Sequence, residues 1–327
     1  MMALVILILL SLLFAFLNGL NDSSSIVATA IASGAMEPRR ALALAALCDF
    51  SGPFLFGVAV AGTIGNGYLA AGAIQLRVLI GAVLAAIVWN MFTAGWGIPS
   101  SSSHALIGGL LGAAMASGGL QVIYFERLAR IVGALLLSPP LGLLGGFAMM
   151  RGARYIFRES TPLVSERFRR MQLGTVIAMG LSHGANDGPK SMALIGMGLL
   201  ASGRLGEFGT PWWVMMLSAG AMALGTSLGG WQLIRTLGGR IFRIRPMHAF
   251  CSQLASSGLV IVAALVGLPI SATQVVSSSI MGVGGGERAN QVRWGLLSDM
   301  AISWSLTIPA TALLGAIFVW SQAALLG

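Results

Sequence analysis

The sequence predicts an all-α polytopic membrane protein built from two repeats, with helices interrupted in mid-membrane. Three observations carry this. Hydrophobic residues fill 56% of the 327 positions and charged residues only 9%, where a soluble domain carries about 25% charge. Apolar stretches recur along the whole chain, and at about 20 residues per span there is room for roughly ten crossings. Two short polar motifs break these stretches, and each is written twice.

The elements follow in order. The stretch 3–17 is apolar, but no basic residue precedes it, and apolar character resumes at Ile26. It reads as the first half of a broken transmembrane helix kept in the chain, not as a signal peptide. The break is Asn18-Gly19-Leu20-Asn21-Asp22, and the following 26–36 is too short to span alone. Stretches at 41–63 and 76–98 lead to Ile98-Pro99-Ser100-Ser101-Ser102-Ser103-His104, and 104–118 is again short. The stretch 128–150 completes an N-terminal transmembrane repeat, 1–150. Arg151, Arg154, Arg158, Arg167, Arg169 and Arg170 stand against Glu159 and Glu166, with Pro162 between them. This segment reads as a basic cytoplasmic linker, 151–172, ahead of a C-terminal repeat, 173–327.

The second repeat has the same plan. The stretch 173–182 ends at His183-Gly184-Ala185-Asn186-Asp187, and 191–202, 211–229 and 249–268 follow. Leu268-Pro269-Ile270-Ser271-Ala272-Thr273-Gln274 precedes the short 275–284, and 296–326 closes the chain. Half-helices or re-entrant hairpins account for the short pieces better than full spans do. Asp187 follows Asp22 by 165 positions and Pro269 follows Pro99 by 170. Matched polar breaks in two halves of a membrane chain point to a transport site. An odd number of crossings per half would make the repeats inverted; the residues alone leave that parity open.

Composition excludes other classes. The net charge of +9 comes from arginines in short runs between apolar stretches, the placement of topology signals on cytoplasmic loops. No basic–aromatic interleaving suggests base stacking, so no nucleic-acid partner is expected. The partner is the lipid bilayer, and the 45 glycines fit helices packed closely within it. Cys48 and Cys251 lie in or beside apolar stretches and read as buried free thiols.

The motifs set the chemistry. A carboxylate near mid-membrane persists only when paired, protonated or holding a cation. Asn21, Asp22, Asn186 and Asp187, each after a glycine that could let the helix unwind, offer oxygen ligands for Na+ or a carboxylate able to carry H+. They could also cap half-helices. Pro99 and Pro269 suit the start of new helices. Ser101, Ser102, Ser103, Ser271 and Thr273 then place hydroxyls and free N–H groups at two helix N-termini, whose partial positive charge favours an anion. Two such ends meeting at mid-membrane would make a pocket for a small oxyanion. No arginine sits in these motifs, so binding is loose enough to release.

Lys190, the sole lysine, lies three residues after Asp187. It reads either as an ion-pair partner for that carboxylate or as a charge whose partner changes during transport. His104 and Gln274 hold equivalent positions, and His104 reads as a helix-start contact. His183 reads as a hydrogen bonder behind the site, and Asp49 and Asp299 as structurally paired or cavity-lining. An intramembrane hydrolase built on Ser101 or Ser103 with His104 is disfavoured, because the second copy has Gln274 in place of histidine and proximity in sequence makes no triad. An enzyme is therefore not expected. An anion channel is the other rival, separable by whether flux saturates and depends on a coupling ion.

At these residues the chain resembles the inorganic phosphate transporter (PiT) family, over nearly its whole length. Gly184-Ala185-Asn186-Asp187 matches that family's repeated Gly-Ala-Asn-Asp core, and Gly19-Leu20-Asn21-Asp22 matches with one change. Asn186-Asp187-Gly188-Pro189-Lys190-Ser191-Met192 is similar to the form seen in short bacterial members, and Gly230-Trp231-Gln232 through Gly238 resembles a further signature. The chain departs at Ser23-Ser24-Ser25, where a later Asn is expected, at Ala272 in place of Thr, and at Ser100 in place of Val. The resemblance implies two inverted repeats, transport of inorganic phosphate with H+ or Na+ by alternating access, and residence in the plasma (cell inner) membrane. It places phosphate at Ser101, Ser102, Ser103, Ser271 and Thr273, and the coupling cation at Asn21, Asp22, Asn186 and Asp187. No cofactor is expected beyond a Na+ bound at Asp22 and Asp187. Lys190, His104 and Gln274 are accessory. Sulfate or a metal–phosphate complex is the alternative cargo, and a homodimer follows by analogy only.

Overall fold

The computed structural model describes residues 1–97, 100–158 and 163–326. Twelve α-helices run through them: α1 Met2–Ala32, α2 Pro38–Phe56, α3 Ala59–Gly65, α4 Leu76–Gly95, α5 Ser102–Gly118, α6 Phe125–Ile156, α7 Leu163–Ala201, α8 Trp212–Leu228, α9 Trp231–Arg235, α10 Pro246–Leu265, α11 Ala272–Arg288 and α12 Trp294–Leu326. A π-helical turn, Thr236–Arg240, continues α9. Among the described residues the only β pairing is one isolated bridge, Leu69 with Ile123.

Five of these helices are long and apolar enough to cross a membrane, and two bent pairs raise the number to seven. The room for ten spans is not filled by simple crossings. α5 and α11 are 17 residues each, and α7 carries polar residues through its middle. The bent pairs, α2 with α3 at 76° and α8 with α9 at 58°, each turn at a glycine in the left-handed region. Gly57 (φ 83°) ends α2 and Gly229 (φ 74°) ends α8. A residue with a Cβ is strained there.

The repeats are inverted, and the order of the two apolar cores shows how. One core takes Leu4, Leu7 and Phe14 from the start of α1, with most of the buried faces of α4 and α5. The other takes Ile26 to Ala30 from the end of α1, with α10 and α11. α7 meets them in the opposite order: Val176 and Met179 lie in the second core, Met192 to Leu199 in the first. So α1 and α7 run in opposite senses between the same two cores. The polar motifs at 18–25 and 182–191 fall between the cores.

The halves interlock. α2 packs on α7, α8 on α1, α12 on α5 and α6 on α11. Each of these contacts joins one repeat to the other, and each is closed by glycine. A Cβ at Gly19 or Gly225 would run into the backbone of the facing helix, α8 or α1. Gly184 and Gly52 do the same for α7 and α2. Gly112 faces the Ala312 backbone of α12, and Gly282 the Leu143 backbone of α6. Small residues permit this approach where lipid offers no hydrophobic drive to association.

Two sequence expectations are corrected. The helix does not unwind at the Asn-Asp motifs: α1 and α7 pass through them unbroken, so 26–36 is no separate half-helix. Gly19 and Gly184 serve close contact, and the Ser23 and Ser24 hydroxyls satisfy the carbonyls of Leu20 (2.8 Å) and Asn21 (3.0 Å). Nor does Pro269 open α11; that helix begins at Ala272 with Ser271 as its cap. Pro99 lies outside the described residues. The basic segment is helical at both ends, as the end of α6 and the start of α7, and residues 159–162 lie outside the described residues.

Candidate functional site

α5 and α11 start head to head. Ser101 caps α5, accepting from the His104 N–H at 3.2 Å, and Ser271 caps α11, accepting from the Gln274 N–H at 3.3 Å. This is the preferred cap geometry, and it leaves the remaining first-turn N–H groups as helix-terminal donors. The two starts touch: Ser103 donates to the Ile270 carbonyl at 2.7 Å, and the Gln274 amide lies 3.5 Å from His104 Nδ1. His104 Nδ1 also meets Ser101 Oγ at 2.6 Å, so the expected helix-start contact is present.

Asp22 of α1 points at this junction. Its Oδ1 accepts from Thr273 and its Oδ2 from Ser102 at 3.4 Å. Ser25 donates to the same Thr273 oxygen at 3.2 Å. A narrow polar cleft runs past these groups, lined by Asn18, Asn21, Asp22, Asn90, Ser102 and Thr273 among others. The structure thus gathers four of the predicted residues at one cleft: Asn21, Asp22, Ser102 and Thr273. Ser101, Ser103 and Ser271 are close by, but their hydroxyls are engaged in caps and in the α5–α11 contact. His104 and Gln274 face a separate, mostly apolar cavity with Leu135, Pro139 and Trp304.

A second layer lies behind Asp22. Asp187 of α7 is buried, with Lys190 Nζ at 2.7 Å and the Asn18 amide donating at 3.2 Å. Asn186 donates to the Leu268 carbonyl at 3.1 Å. His183 links three carboxylates. Its Nδ1 is 2.7 Å from Asp49, which also accepts from Thr226 at 2.6 Å. Its Nε2 faces Asp22 at 3.9 Å and Asp187 at 3.7 Å. One ligand atom each from Asp22, His183 and Asp187 lie within 4.8 Å of one another. Asn18 Oδ1, Asn186 Oδ1, Asp187 Oδ1 and His183 Nε2 are buried without a hydrogen-bond partner. Buried acceptors rarely go unpaired, and each such case asks for an explanation. This set of oxygens and one imidazole nitrogen suits a cation.

Several of these residues escape a reading of the sequence. Asn18 stands at the edge of a motif; its place 165 positions before His183 marks it as that residue's counterpart. Asn90 and Thr93 sit one helical turn apart in an apolar stretch, and their polarity there is the available signal. Asp49 is paired as expected, but Asp299 is exposed near the start of α12. His248, to which the sequence assigns no role, lies 2.7 Å from Glu287.

Comparison with known proteins agrees with this geometry. A family model described as the phosphate transporter family matches residues 18–167 and again 157–315. A probable low-affinity inorganic phosphate transporter of Rhizobium meliloti is 38% identical, over 95% of this chain and 94% of its own. A protein of the same description from Bacillus subtilis is 38% identical over 96% and 95%. A solved structure described as the sodium-dependent phosphate transporter superposes with a TM-score of 0.89 over 99% of this chain and 100% of its own, at 23% identity, and so shares the fold. With both halves matched and relatives this similar along its length, the chain belongs to the phosphate transporter family, as a multi-pass protein of the plasma membrane.

Proposed function

We propose that this protein is a secondary carrier that moves inorganic phosphate together with a monovalent cation, Na+ or H+, by alternating access. The observation that carries the reading is the placement of Asp22 against hydroxyls from both helix starts, Ser102 and Thr273. Phosphate would bind between those starts, taking the two hydroxyls and the first-turn N–H groups. Ser101, Ser103 and Ser271 would shape the two ends, with His104 and Gln274 holding them together. Asn21, Asp22, Asn186 and Asp187, joined by Asn18 and His183, would serve the cation. The names of the relatives favour phosphate as cargo, and the sodium dependence in the name of the structural neighbour favours Na+ as the first cation to test. Residues 1–150 and 173–327 act as the two repeats and 151–172 as the link between them. A homodimer belongs to the reading by analogy alone.

Asp22 would also choose the anion. Phosphate near neutral pH keeps at least one proton and can donate to a carboxylate, whereas sulfate cannot. Purified protein in proteoliposomes should take up labelled phosphate when a Na+ or a pH gradient is imposed, and excess sulfate should compete poorly. Asp22→Asn should let sulfate compete. Equal competition by sulfate in the unaltered protein would assign the cargo otherwise, and no change in the variant would remove this role from Asp22.

A further inference from the structure

The two carboxylates at the centre of the fold hold equivalent places in the repeats, but their surroundings differ in charge. Asp22 and Asp187 are 165 positions apart. At the same offset Asn18 corresponds to His183, Gly19 to Gly184, Asn21 to Asn186 and Ser25 to Lys190. The backbone obeys this correspondence: Gly19 closes α1 on α8 as Gly184 closes α7 on α2. Contacts cross between repeats as well, since Asn18 reaches Asp187 while His183 faces Asp22. A cavity made this way brings a carboxylate from each repeat to the same imidazole, with one ligand atom each from Asp22, His183 and Asp187 within 4.8 Å of one another.

Only one of the two matched positions, 25 and 190, carries a positive charge. Lys190 is fully buried, and its ammonium stands 2.7 Å from Asp187 Oδ2. Its counterpart, Ser25, spends its hydroxyl on Thr273 and leaves Asp22 to hydroxyl donors. From this we infer that Lys190 is a tethered cation that takes the place of one coupling ion, so that the carrier binds one cation fewer than its two carboxylates would otherwise require. An ammonium is a compact point charge with three donors. At 2.7 Å it forms an ion pair with Asp187 Oδ2, while Asp187 Oδ1 has no hydrogen-bond partner. A pair whose only role is to ease burial would need no match to a symmetry-related site. Here the charge sits beside one of two repeat-related carboxylates, and the counterpart position holds an uncharged hydroxyl. The inference rests on the cation-coupled reading above and adds a stoichiometry to it.

The test is a comparison of coupling in proteoliposomes, with phosphate uptake measured against cation concentration and the reversal potential used to count cations per phosphate. If the unaltered protein shows no dependence on Na+ or H+ gradients, the coupled reading itself fails, whatever Lys190 does. If it does show dependence, Lys190→Ser, which copies Ser25, should need one more cation per phosphate, with the Hill coefficient for the cation rising by about one. The variant should also gain thermal stability on addition of the cation alone, without phosphate. Lys190→Arg, which keeps a positive charge, should keep the original stoichiometry. An unchanged count in Lys190→Ser, or uptake that no cation concentration restores, overturns the inference. So does a serine variant that stays unfolded at every cation concentration, because an ion in the vacated place should stabilise it.

Discussion

Thr273→Val separates two hydroxyls that look alike in sequence. Thr273 donates to Asp22 Oδ1 and accepts from Ser25, while Ser102 reaches Asp22 Oδ2 at 3.4 Å, beyond the usual range for a hydroxyl donor. A hydrogen bond to a charged partner contributes about 1.5–3 kcal/mol, more than a neutral one. Valine keeps the shape of threonine, so the change removes the donor without opening a cavity. The expected loss of stability is about 1.5–3 kcal/mol for Thr273→Val and under ~1 kcal/mol for Ser102→Ala. Thr273→Ser should restore most of it. Unfolding of the detergent-solubilised protein, followed by helical circular dichroism, measures the order. The half-saturating phosphate concentration should rise less than the stability loss suggests, under about tenfold, equivalent to ~1.4 kcal/mol. On the proposed reading the hydroxyl would serve Asp22 before phosphate arrives and phosphate afterwards, so its removal would weaken both states. A Ser102→Ala loss equal to or larger than that of Thr273→Val would refute the assignment of Thr273 as the main holder of Asp22.

Three further outcomes follow from the same geometry. Ser101→Ala and Ser271→Ala remove helix caps and should each cost about 1 kcal/mol of stability, with the half-saturating phosphate concentration little changed in uptake assays. Gly184→Val should yield no monodisperse protein by size-exclusion chromatography, because the new side chain would enter the Asp49 backbone; Gly174→Ala, in open space on the same helix, should stay within about 1 kcal/mol of the unaltered protein. Asp49→Ala strands His183 Nδ1 in the interior, while the Thr226 hydroxyl keeps the Met222 carbonyl at 3.1 Å, and should lower stability by roughly 3–5 kcal/mol, seen as a fall in melting temperature that Asp49→Asn reproduces only in part.

What the sequence made legible was whatever it said twice. Both motif pairs lie at the centre of the fold, and the caps at Ser101 and Ser271 follow from the small polar residues that open α5 and α11. What it said once was harder to read. Asn90 and Thr93 have no echo in the second repeat, and Asp49 meets Thr226 across 177 positions of chain. The expectation of unwound helices at Asn21 and Asn186 failed for a physical reason. Glycine before a polar pair suits a broken helix and an unbroken one pressed against a neighbour's backbone, and local sequence does not distinguish them. The facing elements do so here, since α8 and α2 bring carbonyls to within overlap of any Cβ at Gly19 and Gly184. The inversion of the repeats likewise needed the third dimension, because it depends on which core each end of α1 and α7 enters.

Strict two-fold symmetry would have made a poor site. Asp22 and Asp187 both approach His183 Nε2, at 3.9 and 3.7 Å, and two carboxylates in so small a space crowd the same counter-charge. Two identical carboxylates would compete for the same counter-charge, and neither would be committed to one role. The chain departs from symmetry at the positions that remove this conflict. Lys190 against Ser25 assigns an ammonium to Asp187 alone. His183 against Asn18 gives one side an imidazole fixed by Asp49 and the other an amide. Thr273 against Ser103 turns one hydroxyl to Asp22 and the other to the Ile270 carbonyl. The glycines at the crossings agree between the repeats, because both crossings must close equally for the helix starts to meet. The side chains inside differ, so that Asp187 faces an ammonium while Asp22 accepts from two hydroxyls.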